Sequence, residues 1–290
     1  MIKIACCQYQ IDKFSDWNGY ANKIDALVKQ ASAAGAQLLL LPEYAGMEIG
    51  GCHPTDNELF AAMQVYLQAY CDLFKRLANR YQIYIQAGTV IEAISPTQYV
   101  NRAYLFSPAG KMAYQDKLQL IEFEKESKIL TSGNSQTLFD TALGKIGIAI
   151  CYDSEFPEIV RRLVDAGAWL ILVPSYTIST AAHQRVFLSC RARALENQCY
   201  VAASFIVGEV ALSEPVEHAV GQAGVFGPVE HGYSDDGIVV EGRVNDVGII
   251  TAELAQDELS KIRSQGKVHL FNDAKRCKDL LKQQVQVTEL

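Results

Sequence analysis

No run in this chain approaches the roughly 20 apolar residues of a membrane helix. No block of Lys and Arg interrupts an acidic balance of −7, which argues against nucleic acid or an anionic membrane surface as a partner. There is no CxxC pair and no zinc-type Cys/His spacing, so no metal is expected. Repeats, low-complexity segments and linkers are missing too, and residues 1–290 read as a single domain. Eight cysteines are present, but scattered through a long chain they do not make a disulfide framework. Residues 1–10 are too short in apolar length for a signal peptide and alternate like a first strand. Reduced thiols in the cytoplasm are the expectation.

What is there is an ordinary enzyme-like composition, 49% hydrophobic and 20% charged, long enough to bury a large core. Apolar runs alternate with amphipathic stretches. Strands are expected at 2–9, 37–41, 83–90, 101–107, 111–115, 145–150, 168–173, 199–206, 222–227, 237–242 and 247–254. Helices are expected at 15–33, 57–80, 157–166, 180–196 and 256–264, with a loop and a short helix over 118–135. This pattern alone supports an α/β protein with two sheets or one large mixed sheet.

Three residues stand just beyond apolar strands. Cys151 follows Lys145–Ile150 and precedes Pro157, a helix start. A cysteine at such a corner meets outward backbone N–H groups and a helix dipole, both of which lower a thiol pKa. Glu43 follows four leucines and Pro42, where α/β sheets place ligands and where half-burial makes a carboxylate a general base. Lys117 ends the strand at 111–115, where an ammonium can stabilise an oxyanion. Taken singly, each has a plainer reading: a core cysteine, a capping glutamate, a surface lysine.

Together, in this order, they resemble the nitrilase superfamily of carbon–nitrogen hydrolases. "LLLLPEY" resembles its Glu motif, "YQDKLQL" its Lys motif and "GIAICYDSEFPE" its Cys motif, while "RARALENQCYVAAS" looks like a later family segment. "FEKESKILTSG" resembles the stretch with the family's second glutamate, which places that role on Glu126, with Glu122 and Glu124 close by.

The resemblance implies a four-layer α-β-β-α sandwich and a thiol hydrolase that cleaves a non-peptide C–N bond, amide or carbamoyl, of a small molecule through a cysteine thioester. In that scheme Glu43 is the base, Cys151 the nucleophile, and Lys117 with the Tyr152 N–H holds the oxyanion. Glu126 holds Lys117 or the substrate amine in place, and neither a metal nor an organic cofactor is needed. Tyr152-Asp153 after the nucleophile resembles the amidase and carbamoylase branch, which favours an amide over a nitrile. Tyr44, Tyr152, Glu155, Ser175 and Tyr176 are candidate pocket residues, and Arg185 is a cation that could meet a substrate carboxylate.

The loop from Lys117 to Glu126 is shorter than in many members. Arg185 and Val186 stand where a His-Trp pair often lies, with His183 two residues earlier. Glu196 and Asn197 read as structural residues at a helix end, and Arg191 and Arg193 as ion-pair formers around it. Cys52-His53 after Gly50-Gly51 has no preceding strand and reads as a flexible loop. The alternatives are a soluble thioester acyltransferase and a catalytically silent binding protein on the same fold. The resemblance also implies a homodimer, with the tail at 266–290 reaching its interface.

Overall fold

The computed structural model describes residues 1–13, 15–210, 217–231, 233–280 and 282–288. In chain order the first half contains β1 (Ile2–Tyr9), α1 (Trp17–Ala33), β2 (Leu38–Leu41), α2 (Asp56–Tyr81), β3 (Tyr84–Ser95), β4 (Gln98–Phe106), β5 (Met112–Asp116) and α3 (Glu122–Glu126). The second half contains β6 (Leu138–Thr141), β7 (Gly144–Ile148), α4 (Pro157–Asp165), β8 (Leu170–Ser175), α5 (Thr180–Asn197) and β9 (Tyr200–Ile206). There follow β10 (Gly208–Val210), β11 (Glu217–Ala219), β12 (Gly224–Phe226), β13 (Ile238–Glu241), β14 (Gly248–Leu254), α6 (Gln256–Gln265) and α7 (Leu270–Leu280). Short 3₁₀ turns follow β2 (Ala45–Gly50) and β7 (Cys151–Glu155). Among the described residues, no helix is long and apolar enough to cross a membrane.

The strands join in the order β5-β4-β3-β2-β1-β9-β8-β7-β6, with β14 also pairing β1 and β12 pairing β9. Two β-α-β-α-β units meet where β1 and β9 touch through only the pairs Gln8–Phe205 and Tyr9–Ile206. Side chains on β1 and β2 alternate between two cores. Ala5, Cys7, Leu39 and Leu41 face the helices α1 and α2. Ile4, Cys6, Leu38 and Leu40 face a core shared with Ile146, Leu170 and Val201 of the other half, and α4 and α5 cover that half. The result is the α-β-β-α sandwich. It explains why β2 is leucine throughout: the strand is buried on both faces and flanked by parallel partners.

Most expected elements lie within a few residues of their predicted bounds. Strands β6, β10 and β11 were not foreseen, being too short to show alternation. The tail contains a helix as well, α7, although residues 281, 289 and 290 of it lie outside the described residues. Its start docks on its own chain: Gln198 donates to the Val268 carbonyl at 2.9 Å and accepts from the Phe271 N–H at 3.2 Å.

Candidate active site

The ends of β2 and β7 and the exit of β5 bring Glu43, Cys151 and Lys117 together. Pro42 stops β2, and its carbonyl sits against Gly88, which has φ +69°. A Cβ at Gly88 would come 2.1 Å from that oxygen, so only glycine lets the two strands approach so closely. Glu43 is thereby aimed inward, and Tyr44 after it is left-handed at φ 63°, its N–H held by Thr89 Oγ1 at 2.8 Å.

All three side chains are buried. Lys117 Nζ lies 2.8 Å from Glu43 Oε1 and 2.8 Å from both carboxylate oxygens of Glu124. Asn101 donates to Glu43 Oε1 at 2.9 Å, and the Tyr176 N–H donates to Glu43 Oε2 at 3.1 Å. The Cys151 thiol stands beside Glu43 and donates to the Tyr176 carbonyl at 3.5 Å.

Burial pushes the Glu43 pKa up, against the opposing pull of the Lys117 ammonium, and the neighbouring Glu124 charge adds to the rise. Burial alone would lower Lys117, but the carboxylates of Glu43 and Glu124 outweigh it and hold the ammonium charged. Burial, and then the charge of Glu43, pushes the Cys151 thiol well above its usual range. This corrects the expectation of an acidified cysteine. Helix α4 begins only at Pro157, and Cys151 instead opens a 3₁₀ turn, so the sulfur belongs to the turn before the helix and not to the helix N-terminus. Burial thus favours the neutral thiol at Cys151.

The second glutamate is a further correction. Glu126 is exposed at the end of α3, whereas Glu124 is buried and holds Lys117. The Ile121 N–H, 2.9 Å from Glu124 Oε2, and the Tyr44 hydroxyl fix that carboxylate in place. Asn101 was missed by the sequence reading; its only signal was a polar residue inside an otherwise buried strand.

Cys151 has φ 44°, a conformation costly for a residue with a side chain and typical of functional turns. Asp153 holds this turn. Its carboxylate accepts from the N–H groups of Gln119 (2.7 Å), Leu118 (3.2 Å) and Ile150 (3.2 Å), which ties the nucleophile's turn to the segment after Lys117. Burial raises the Asp153 pKa to about 7 in spite of those bonds.

A cavity of about 200 Å³ opens onto Cys151. Tyr44, Tyr152, Glu155 and Tyr176 line it, and so do Arg185 and Val186. Ser175 does not: it is fully buried in β8, with its hydroxyl 3.3 Å from the Val173 carbonyl. Arg185 pairs with Glu155 at 3.3 Å. His183 is buried between Phe187 and Phe205, away from the cavity wall. Arg193 pairs with Glu196 at 2.9 Å, whereas Arg191 donates to the Asp236 carbonyl. Gln198, just past Asn197, is the left-handed residue that ends α5. Among the described residues, no group of three His, Cys, Asp or Glu side chains is placed to hold a metal ion.

The model of a family described as carbon-nitrogen hydrolase matches residues 3–264. The chain is 31% identical over 277 residues to a protein named probable hydrolase YhcX of Bacillus subtilis, covering 95% of this chain and 54% of that one. It is 31% identical over 190 residues to omega-amidase NIT2-B of Xenopus laevis, covering 62% of this chain and 66% of the relative. The chain thus spans between half and two thirds of these relatives' lengths. Among solved structures it resembles Nit3 of Saccharomyces cerevisiae, a member of the nitrilase superfamily, with TM-score 0.71, 25% identity and coverage of 90% and 93%.

Proposed function

Because the chain belongs to the carbon–nitrogen hydrolase family, we propose that it is a thiol amidase that hydrolyses a non-peptide C–N bond of a small molecule. The observation that carries this reading is the buried contact of Glu43, Lys117 and Cys151 beneath an open cavity.

The chemistry follows from the protonation states. Glu43, a carboxylate of raised pKa touching the thiol, takes the Cys151 proton. The sulfur attacks the amide carbon, and the oxyanion is met by the Lys117 ammonium and the Tyr152 N–H. When the tetrahedral species collapses, Glu43 returns the proton to the departing nitrogen, leaving an acyl thioester. Glu43 then takes a proton from water, whose oxygen attacks the thioester. The carboxylic acid leaves and the thiol regains its proton. Lys117 keeps its charge throughout, because two carboxylates flank it.

The named omega-amidase relative supports an amide rather than a nitrile. The proposal extends to a cytoplasmic homodimer built from one domain over residues 1–290. Free cysteines support the location, and the exposed Leu188 and Leu195 on α5 support a subunit contact.

The test is ammonia release from a panel of primary amides, N-carbamoyl amino acids and matched nitriles. Turnover of an amide that is abolished in Cys151→Ala is the expected result. Amide turnover that persists in the variant would remove Cys151 from the chemistry.

A further inference from the structure

A second cavity, of about 80 Å³, adjoins the one above Cys151. The two share Tyr44, Phe123 and Tyr176 as walls. Tyr44 and Tyr176 meet edge to face, their centroids 5.8 Å apart, and form a fixed partition beside the nucleophile. Beyond that partition the walls are Ile11, Met47, Leu59, Phe60, Leu130 and Val210. Among the described lining residues there is no Lys, Arg or His, and the charged one is the acidic Asp56.

The mouth of the cavity above Cys151 is apolar too. Phe123 stands 62% exposed on α3, with Ile121 at 40% and Ile178 at 54% beside it on the same mouth. Large apolar side chains gathered around an opening mark a surface that apolar ligand covers. The cation at this mouth, Arg185, is already paired with Glu155. A carboxylate carried into the second cavity would meet no cation among the described lining residues and would lie among apolar side chains, an arrangement that costs free energy.

Resting on the amidase reading above, we propose that the second cavity is an apolar subsite for the uncharged hydrocarbon part of the acyl group. The preferred substrates are then medium-length aliphatic or arylalkyl amides, not short amides or amides ending in a carboxylate. At about 80 Å³ the second cavity is smaller than the first, at about 200 Å³, so it suits a short hydrocarbon chain or a single ring.

The experiment is a series of unbranched primary amides from acetamide to octanamide, with matched amides ending in a carboxylate, followed as kcat/KM by ammonia release. In the wild type, kcat/KM rises about three- to fourfold per methylene until the cavity is full, then levels. Met47→Trp, which fills the second cavity from a wall that the first does not share, flattens the series. Since the slope is a ratio within one protein, an overall loss of activity does not disturb it. Phe123→Lys, at an exposed position that tolerates change, shifts preference at equal length from the apolar amide to the carboxylate-terminated one. A flat wild-type series, a slope unchanged in Met47→Trp, or wild-type preference for the terminal carboxylate overturns the subsite, while loss of turnover in Cys151→Ala leaves the amidase reading standing. Absence of any Cys151-dependent amide turnover overturns both.

Discussion

Two glutamates, two residues apart on one turn of helix, have opposite fates. Glu124 gives both its oxygens to Lys117, whereas Glu126 faces solvent. Glu124→Gln is expected to lower kcat/KM by on the order of 10–100-fold, the ~1.5–3 kcal/mol worth of a hydrogen bond to a charged group. Glu126→Gln is expected to stay within about twofold, as exposed substitutions do. Steady-state kinetics of the two variants side by side decide the matter. The pH profile tests the same cluster. A protonated Glu43 cannot accept the thiol proton, and burial raises its pKa, so kcat/KM falls with decreasing pH through a limb above the ordinary carboxylate value of 4.5. A limb at that ordinary value would contradict the buried base. Glu43, Lys117 and Cys151 were legible in the sequence because each stands just beyond an apolar strand and because their motifs, in that order, resemble those of the family. The second glutamate was not, because its segment has no period. The choice between Glu124 and Glu126 is made by the Ile121 N–H and the Tyr44 hydroxyl, groups that only the folded chain brings near.

Strands were readable where alternation or a long apolar run existed, and the short turns that aim the site were not. The 3₁₀ turn after β7 illustrates this: Pro157 signals the coming helix correctly, yet the nucleophile belongs to the turn before it, with φ 44° at Cys151. Asp153 stabilises that turn against its backbone strain, and "CYD" in a sequence gives no hint that its carboxylate reaches the segment after Lys117. Asp153→Ala strands the N–H groups of Leu118, Gln119 and Ile150, and the expected cost is about 1–3 kcal/mol of unfolding free energy with a lower kcat. The pH dependence has a definite sign. Burial lifts this carboxyl from 3.8 to about 7, so the native state retains a proton that the unfolded chain has already lost. The associated stability is complete below about pH 3.8 and is lost as pH rises through about 7. Urea unfolding across that window should give a stability that declines toward neutrality in wild type and declines less in Asp153→Asn. Equal slopes would show that Asp153 titrates normally.

The layered architecture was readable from the alternation of strands and helices once the motifs fixed the family, but the path of the tail was not. Residues 266–290 mix apolar and charged side chains, and nothing in their pattern says whether they dock on their own chain or on a partner. In the structure Phe271 lies between two guanidinium groups, 5.0 Å from Arg161 and 3.9 Å from Arg263. Arg161 also donates to the Phe271 carbonyl at 3.0 Å, and Arg263 donates to the carbonyls of Asn197 and Gln198, each at 3.1 Å. Arg263 of α6 thereby closes the buried carbonyl end of α5, where cations are favourable, and the start of the tail packs on that arginine. Phe271→Ala removes the ring from both cations and is expected to cost about 1–3 kcal/mol of stability. Because this contact lies within one chain, the gap in Tm between wild type and variant should not change with protein concentration. If the tail were exchanged between subunits, loss of the ring would weaken assembly, and the gap would widen on dilution by mass action. Thermal unfolding of both proteins over a hundredfold range of concentration distinguishes the two. A constant gap, with a wild-type Tm that itself rises with concentration, would place the subunit contact elsewhere, and the exposed leucines of α5 are then the first surface to mutate.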